Sequence, residues 1–412
     1  MNDLKARKPT IIKGSLIKKP LMAGFLIPLH LMVTGCDGIP GQQDAASKSQ
    51  ESLPWGGEAF ALFAQAPNHE GLRNLNVVDH TRGVLEAFEQ RSPRRFIAQK
   101  SREIGFHPGA IIQWPTNPKL ALFAGEGESA LTTISFDQGY REIATLKEEA
   151  PRFITTVDWP GWGQTVAVTP FKNGYVVLLR DFDLMTAHAA ERVIVPLAES
   201  MNTIRASDRI TVGDLDGDGI KELVIVVSAT GEVIQIKYPG PDANAKPAMT
   251  ILFRDDQWGM PNEAQLFDID DDGDLDMVLP DEAKPGKINL LMNDGKGHMT
   301  PGAPLNFPYQ EGVTELRIAK DKDGLAYILA AGNKFIALYQ LPMGWKLGSP
   351  MPYYAIKWSD DLALDMLLED IDGDGWLDGV VGRFVGKKNV WVVYGPLWDR
   401  FKTLSESNFV LQ

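Results

Sequence analysis

The sequence is poor in the residues that usually build catalytic and covalent centres. It has one cysteine, Cys36, in 412 residues, so no disulfide can form within the chain. Its six histidines include no H-x-x-x-H or H-E-x-x-H pair, which leaves a zinc hydrolase unsupported. The motifs C-x-x-C-H, G-x-S-x-G and the Walker glycine loop are also missing. Covalent haem attachment, a nucleophile-elbow hydrolase and a P-loop nucleotide site therefore have no signature here.

Helical patterns and long apolar runs are also scarce. No long window has the spacing of an amphipathic helix, which argues against an α-solenoid. The apolar stretch "PLMAGFLIPLHLMVTG" contains Pro28 and His30 and is too short for a membrane span. It follows six basic residues and has the length of the apolar region of a secretory signal peptide. We therefore assign residues 1–35 to a signal peptide.

The end of the signal peptide and the residue after it read "VTGC", which resembles the lipobox of bacterial lipoproteins. The resemblance implies that Cys36 becomes the lipidated first residue of the mature chain; a buried structural cysteine is the alternative. Asp37 resembles the signal that retains enterobacterial lipoproteins in the inner membrane, with the outer membrane as the alternative. The sequence thus predicts an extracytoplasmic protein anchored to a membrane of the bacterial envelope.

Basic residues are outnumbered by acidic ones. The formal net charge is −13, and removing residues 1–35 takes away six bases and one acid, which makes it −18. Such an acidic chain is a poor partner for nucleic acid. Residues 36–54 are polar and rich in Gly, Ser and Pro, and we interpret them as the lipidated cysteine with a flexible tether. The folded part is expected to span residues 55–412 and to begin near Trp55.

What the sequence does contain is a repeated acidic loop. "DLDGDGIKEL" begins at Asp214, and copies begin at Asp268 ("DIDDDGDLDMVL") and Asp370 ("DIDGDGWLDGVV"). Each copy has aspartate at positions one, three and five, glycine at six, an acid at nine and then a run typical of a β-strand. An EF-hand would need a glutamate at position twelve, where the first copy has Ile225. These loops therefore join strands rather than helices.

The copies recur with a period of about fifty residues. The first two start 54 residues apart, and the next interval is 102, twice 51. A degenerate copy lies between them, which keeps Asp321, Asp323 and Gly324 but has Ala319 and Tyr327 at positions one and nine. Fainter copies start at Asp158 and Gln113. At this period, residues 55–412 hold seven units.

Each unit reads as strand, loop, strand, turn, strand, loop, strand. In the fourth unit the strands are "RITVGD", "ELVIVVS", "GEVIQIKY" and "AMTILFR". Four strands in a unit of this length, repeated seven times, predict an all-β fold, a seven-bladed β-propeller of four-stranded blades. Six blades with an N-terminal extension is the alternative.

The loops, their following strands and their period resemble the FG-GAP or VCBS repeats of integrin-α-like propellers. The resemblance implies about three structural calcium ions, each held by carboxylates at positions one, three, five and nine and by the carbonyl at seven. Solvated acidic turns are the alternative. The implied ligands are Asp214, Asp216, Asp218, Ile220 and Glu222; Asp268, Asp270, Asp272, Asp274 and Asp276; and Asp370, Asp372, Asp374, Trp376 and Asp378.

Four tryptophans fall in the loops between the first and second strands of their units: Trp114, Trp159, Trp162 and Trp376. In a closed ring they would lie along one sector of one face. They either pack over loops that lost calcium or form a surface for a protein partner or a glycan.

The sequence favours a membrane-anchored, calcium-binding, non-catalytic scaffold for a protein partner. The rival is an enzyme or a glycan-processing protein with its site in the central channel. The lining of that channel separates the two.

Overall fold

The computed structural model describes residues 48–53, 57–137, 140–171, 174–197, 209–228, 230–242, 245–255, 258, 261, 263–284, 286–306, 312–358, 362–384, 389–407 and 409–411. The predicted signal peptide, Cys36 and Asp37 lie outside these residues.

Seven sheets follow one another along the chain. Six are built on a meander of four consecutive strands, and the seventh on three consecutive strands and one from the start of the chain. Their pairings are antiparallel apart from a short parallel one at the edge of the sixth sheet. The chain begins with β1 (Gln50–Leu53). Blade one contains β2 (Ala59–Ala64), β3 (Leu75–Asp79), β4 (Val84–Ser92), β5 (Arg95–Ala98) and β6 (Arg102–Glu103). Blade two contains β7 (Pro108–Trp114), β8 (Asn117–Gly125), β9 (Ala130–Ser135) and β10 (Arg141–Lys147). Blade three contains β11 (Pro151–Trp159), β12 (Gly163–Pro170), β13 (Tyr175–Asp183) and β14 (His188–Pro196).

The second half of the chain continues the pattern. Blade four contains β15 (Ile210–Gly213), β16 (Glu222–Val227), β17 (Glu232–Lys237) and β18 (Ala248–Arg254). Blade five contains β19 (Gln265–Phe267), β20 (Asp276–Pro280), β21 (Lys287–Asn293), β22 (Met299–Pro301) and β23 (Leu305–Asn306). Blade six contains β24 (Val313–Lys320), β25 (Ala326–Gly332), β26 (Phe335–Leu341) and β27 (Tyr353–Trp358). Blade seven contains β28 (Ala363–Glu369), β29 (Asp378–Arg383) and β30 (Val390–Val393), and the chain ends with α1 (Leu397–Glu406) and β31 (Val410–Leu411).

The first strands of the blades line the centre of a closed ring. Each contacts the first strand of the next blade, and β28 of blade seven returns to β2 of blade one. This confirms the predicted seven-bladed β-propeller and excludes the six-bladed alternative.

The ring closes with a strand that the sequence did not reveal. Strand β1 pairs antiparallel with β30, from Gln50 opposite Val393 to Leu53 opposite Val390, and so supplies the fourth strand of blade seven. The residues were predicted to belong to a flexible tether that reached residue 54. That boundary is wrong for residues 50–53, because a polar edge strand needs only one buried position, Leu53, to join a sheet.

Hydrophobic side chains fill the spaces between blades. Along β16, Leu223, Ile225 and Val227 pack toward blade three, while the alternating Val224 and Val226 pack toward blade five. Successive side chains of a strand point to opposite faces, so a blade covered on both faces needs a continuous apolar run. In the described residues each of the seven blade interfaces has its own buried cluster.

The helix α1 lies at the end of the chain and packs Leu397 and Phe401 into the interface between blades six and seven. Within the described part of the chain, no helix has the length and apolar character that a membrane crossing requires.

Candidate metal loops and the charged channel

The three acidic loops connect the first and second strands of blades four, five and seven. The glycines at position six have φ of +84° at Gly219, +98° at Gly273 and +85° at Gly375. Side chains other than glycine rarely adopt this left-handed region. The glycines therefore let each loop curl, as the sequence pattern predicted.

Similar hydrogen bonds hold all three loops, although one donor to the carboxylate at position one comes from position five in blade five and from position four in the other two. The carboxylate at position one accepts from two backbone N–H groups; in blade four, Gly217 and Gly219 donate to Asp214 at 2.8 and 2.9 Å. The N–H of position seven donates to the carboxylate of position five, as Ile220 does to Asp218 at 2.7 Å. Blades five and seven repeat both features. The loops are thus one preformed structure built three times.

The acid at position nine opens the second strand and is buried in every copy: Glu222, Asp276 and Asp378. Each accepts from the N–H of position two, at 2.9, 3.0 and 2.8 Å. Burial raises the pKa of Glu222 to about 7, that of Asp276 to about 6 and that of Asp378 to about 8. A buried carboxylate costs free energy unless a positive charge lies beside it, and these loops place it next to further carboxylates.

In blades four and five, the aspartate at position three has a carboxylate oxygen that lacks a hydrogen-bond partner. Oδ1 of Asp216 and Oδ1 of Asp270 are both buried and have no hydrogen-bond partner. Burial, together with the charges of Asp272 and Asp268, raises the pKa of Asp270. In blade four, Lys237 Nζ approaches the other oxygen of Asp216 at 2.6 Å. A hard divalent cation prefers oxygen ligands of this kind, so the loops of blades four and five fit calcium.

Three acids of each loop offer oxygens that lie within 4.8 Å of one another. Two of the groups use positions one, three and five, whereas blade five uses one, three and nine. The groups are Asp214, Asp216 and Asp218; Asp268, Asp270 and Asp276; and Asp370, Asp372 and Asp374. The structure thus brings most, but not all, of the predicted ligands of each loop into one group.

The blade-seven loop already contains a cation. Arg94, from the turn between β4 and β5 of blade one, places Nε 2.6 Å from Asp372 Oδ2 and Nη2 2.8 Å from Asp374 Oδ2. Its side chain is 9% exposed. In this arrangement Arg94 neutralises two of the carboxylates that the sequence predicts to bind calcium, while Asp370, Asp372 and Asp374 still place oxygens within 4.8 Å of one another.

The degenerate loop of blade six kept its conformation, since Gly324 has φ of +79°. Asp321 Oδ1 accepts from the N–H groups of Asp323 and Leu325, both at 2.9 Å. Ala319 and Tyr327 offer no carboxylate at positions one and nine. This loop holds its shape with local hydrogen bonds.

The tryptophans do not form the predicted partner or glycan surface. Trp159 and Trp162 are 0% and 1% exposed and contact each other between blades three and four, with ring centroids 5.6 Å apart. Trp114 is buried between blades two and three. Trp376 is half-buried, with Lys322 Nζ 4.0 Å from its ring centroid. Trp114, Trp159 and Trp162 instead match the other expectation, which is that they pack over loops without the acidic motif. In those loops apolar contacts take the place of the polar ones.

Each loop is approached by the turn between the third and fourth strands of the next blade. In blade five this turn begins at Asn293, whose Nδ2 donates to Leu215 O in the blade-four loop at 2.8 Å and to Leu275 O in the blade-five loop at 3.1 Å. Its backbone N–H donates to Asp276 Oδ1 at 2.8 Å. Gly295 follows because a Cβ there would lie 2.4 Å from Asp274 Oδ2. Asn293 therefore ties two acidic loops together.

A second group of charges lies in the central channel. Arg317 Nη1 is 2.9 Å from Glu263 Oε1, and Arg209 is 2.9 Å from Asp365 Oδ1 and 3.2 Å from Glu315 Oε1. Arg317 also pairs with Asp365. These residues come from blades four to seven, and Asp365 Oδ2 accepts from the N–H of Leu62 in blade one at 2.8 Å. The network therefore links five blades across the ring.

The network borders a cavity of about 230 Å³, whose walls come from the first strands of six blades. Apolar side chains such as Phe60, Ile111 and Phe153 line most of it, and Arg209, Arg317 and Asp365 are its charged lining residues. This group was not predicted from the sequence. A signal was present, because Arg209, Glu263 and Asp365 each precede position one of their loop by five residues.

Comparison with protein-family models finds no family that matches this chain. No curated protein matches it either. A solved structure described as BBS1N in complex with ARL6DN, soaked with lead, is similar over 84% of this chain and 96% of that chain, with 11% identity and a TM-score of 0.54. A functionally unknown protein from Desulfotomaculum acetoxidans DSM 771 is similar over 77% of this chain and 98% of that chain, with 10% identity and a TM-score of 0.49. The likeness to the first of these shows the fold alone.

Proposed function

We propose that this protein is a calcium-binding propeller of the bacterial envelope, anchored through Cys36, that serves as a non-catalytic scaffold for a protein partner. The observation that carries the calcium assignment is that Asp216 Oδ1 and Asp270 Oδ1, at position three, are buried and unpartnered in loops that also have acids at positions one, five and nine. Each lies among further carboxylates whose mutual repulsion a divalent cation removes. Asp321 Oδ2 in the degenerate loop is also buried and unpartnered, but that loop lacks the acids at positions one and nine. In this proposal the ions are structural, and they hold the loops between the first and second strands.

The channel supports a scaffold over an enzyme. Its titratable groups converge, as an active site requires, but each carboxylate already has an arginine partner within the network. A catalytic acid or base needs reach to a substrate atom. Groups from four blades that neutralise one another are better suited to hold the ring rigid while its loops present a binding surface.

Thermal unfolding of the full chain with calcium and with a chelator tests the metal. At a calcium concentration 100 times the dissociation constant, each filled site adds about 2.7 kcal/mol to the free energy of unfolding. Asp270→Asn removes the unpartnered carboxylate, so the variant should lose one site's share of the stabilisation. Asp323→Asn, in the degenerate loop, is the matched control and should keep the full response. An unchanged midpoint on adding the chelator to the parent protein would contradict the calcium assignment.

The anchor is tested at one atom. Lipidation needs the Cys36 thiol, and a lipoprotein with two or three acyl chains binds a membrane firmly. Cys36→Ser should therefore move the protein from the membrane fraction to the soluble fraction. Membrane binding that persists in this variant would remove both the anchor and the assignment of residues 1–35. Affinity purification from membranes, with identification of the co-eluting proteins, then addresses the partner.

A further inference from the structure

The blade-seven loop differs from its two intact copies in what approaches it. In blades four and five the turn of the following blade brings a glycine, Gly297 to Asp216 and Gly344 to Asp271, close to an aspartate of the loop. In blade seven the equivalent turn belongs to blade one and brings Arg94. The same place in the architecture therefore provides backbone in two copies and a guanidinium in the third.

Arg94 is held in this position by contacts on every side. Its Nη1 donates to Lys48 O at 3.0 Å, and its guanidinium carbon lies 5.1 Å from the centroid of the Tyr394 ring. The residue has φ of +60°, an uncommon conformation for a side chain other than glycine. The turn accepts this conformation and thereby directs the guanidinium into the loop.

The remaining contacts close the loop against blade one. Arg73 N–H donates to Ile371 O at 3.0 Å, and Arg73 Nη1 pairs with Glu369 Oε2 at 3.1 Å. Gly71 and Gly373 approach so closely that a Cβ on Gly71 would lie 3.1 Å from the Cα of Gly373. Close backbone packing and two arginines thus join this loop to the first blade.

We infer that Arg94 takes the place of the metal ion in the blade-seven loop, so that this seam of the ring closes without calcium and the chain binds two calcium ions rather than three. The guanidinium supplies positive charge and donors to Asp372 and Asp374, the carboxylates that calcium would otherwise neutralise. The seam is also where β1 completes blade seven. Ring closure then does not depend on calcium supply, whereas the loops of blades four and five do. The number of calcium ions rests on the proposed function, whereas the pairing of Arg94 with Asp372 and Asp374 does not.

Calcium binding to the full chain, measured by equilibrium dialysis, tests the ion count. The parent protein should bind two ions, and Arg94→Ala should bind three, because Asp370, Asp372, Asp374 and Asp378 become free to hold one. Arg95→Ala, an exposed neighbour on β5, is the matched control and should stay at two. Three ions in the parent protein would overturn the inference.

A double-mutant cycle, measured by unfolding in the presence of a chelator, tests the pairing of Arg94 with Asp372 without any metal. Arg94→Ala and Asp372→Asn should be strongly non-additive, with a coupling of about tenfold in the unfolding equilibrium constant. The cycle also decides the case in which parent and Arg94→Ala both bind two ions. Additive effects would then overturn the inference, and coupling would sustain it. If the parent binds no calcium but the cycle shows coupling, only the proposed calcium function fails.

Discussion

The acidic loops of blades four and five and the charged channel both collect carboxylates, but they neutralise them differently. In the loops, Asp216 and Asp270 keep buried oxygens without a partner. In the channel, two arginines bind three carboxylates, and every acid is paired. The loops draw their acids from one short segment, whereas the channel draws its charges from different blades. A dense acidic motif therefore indicates an external cation only where no other blade supplies an internal one.

The largest expected effect comes from removing one arginine of the charged network in the channel. Arg317→Met would leave Glu263 and Asp365 buried with one partner fewer, and removal of one member of a buried pair typically costs about 3–5 kcal/mol. We expect a loss of that size in urea unfolding. Arg141→Met, on an exposed position of β10, should change stability by about 0.5 kcal/mol or less. Equal losses in both variants would show that the channel pairing contributes nothing specific.

Particular residues show how much of the structure could be predicted from the sequence. The four strands expected in the fourth unit lie at Ile210–Gly213, Glu222–Val227, Glu232–Lys237 and Ala248–Arg254, because apolar runs rich in β-branched residues and the turn residues between them are local signals. Strand β1 and Arg94 escaped prediction because their partners lie more than 270 residues away. The buried tryptophans were ambiguous for a related reason, since which face a loop residue covers depends on the neighbouring blade.

Substitution of Asn293 tests the contacts that this side chain makes with the loops of blades four and five. Asn293→Ala would leave the carbonyls of Leu215 and Leu275 without its donor, and an unsatisfied buried group costs about 1–3 kcal/mol. We expect a loss in this range in chelator. If calcium fills both loops, the variant should also bind its two ions with less cooperativity. Asn117→Ala, at an exposed position on β8, is the control. A steep, unchanged binding curve would show that the loops do not communicate through this side chain.

The burial of the channel charges should make stability depend on pH through Glu315. Burial raises the pKa of Glu315 well above its ordinary value; Arg209 and Arg317 oppose the rise, and Glu263 and Asp365 add to it. A carboxyl group with a raised pKa contributes stability that is complete below its unfolded pKa, near 4.5, and is lost as the pH rises through the folded pKa.

Glu315→Gln should therefore remove part of the alkaline loss. Relative to the variant, the parent should lose about 1.4 kcal/mol per pH unit from pH 4.5 up to the folded pKa of Glu315. Unfolding in urea across that range measures the difference. Glu103→Gln, an exposed acid on β6, should follow the parent. Parallel pH profiles for the parent and Glu315→Gln would show that Glu315 is ionised throughout.

The smallest expected effect concerns a lysine that approaches the blade-four loop. Lys237 Nζ lies 2.6 Å from Asp216 Oδ2, but its side chain is 38% exposed, and exposed pairs contribute about 0–1 kcal/mol. Lys237→Met should therefore lower stability in chelator by no more than that, far less than Arg94→Ala. Because the lysine competes for Asp216, the variant should bind calcium in the blade-four loop at least as tightly as the parent. Lys287→Met, on an exposed position of β21, should alter neither quantity. Weaker calcium binding in Lys237→Met would mean that the lysine supports the site. The contrast with the blade-seven loop, where Arg94 neutralises the carboxylates, would then not hold for blade four.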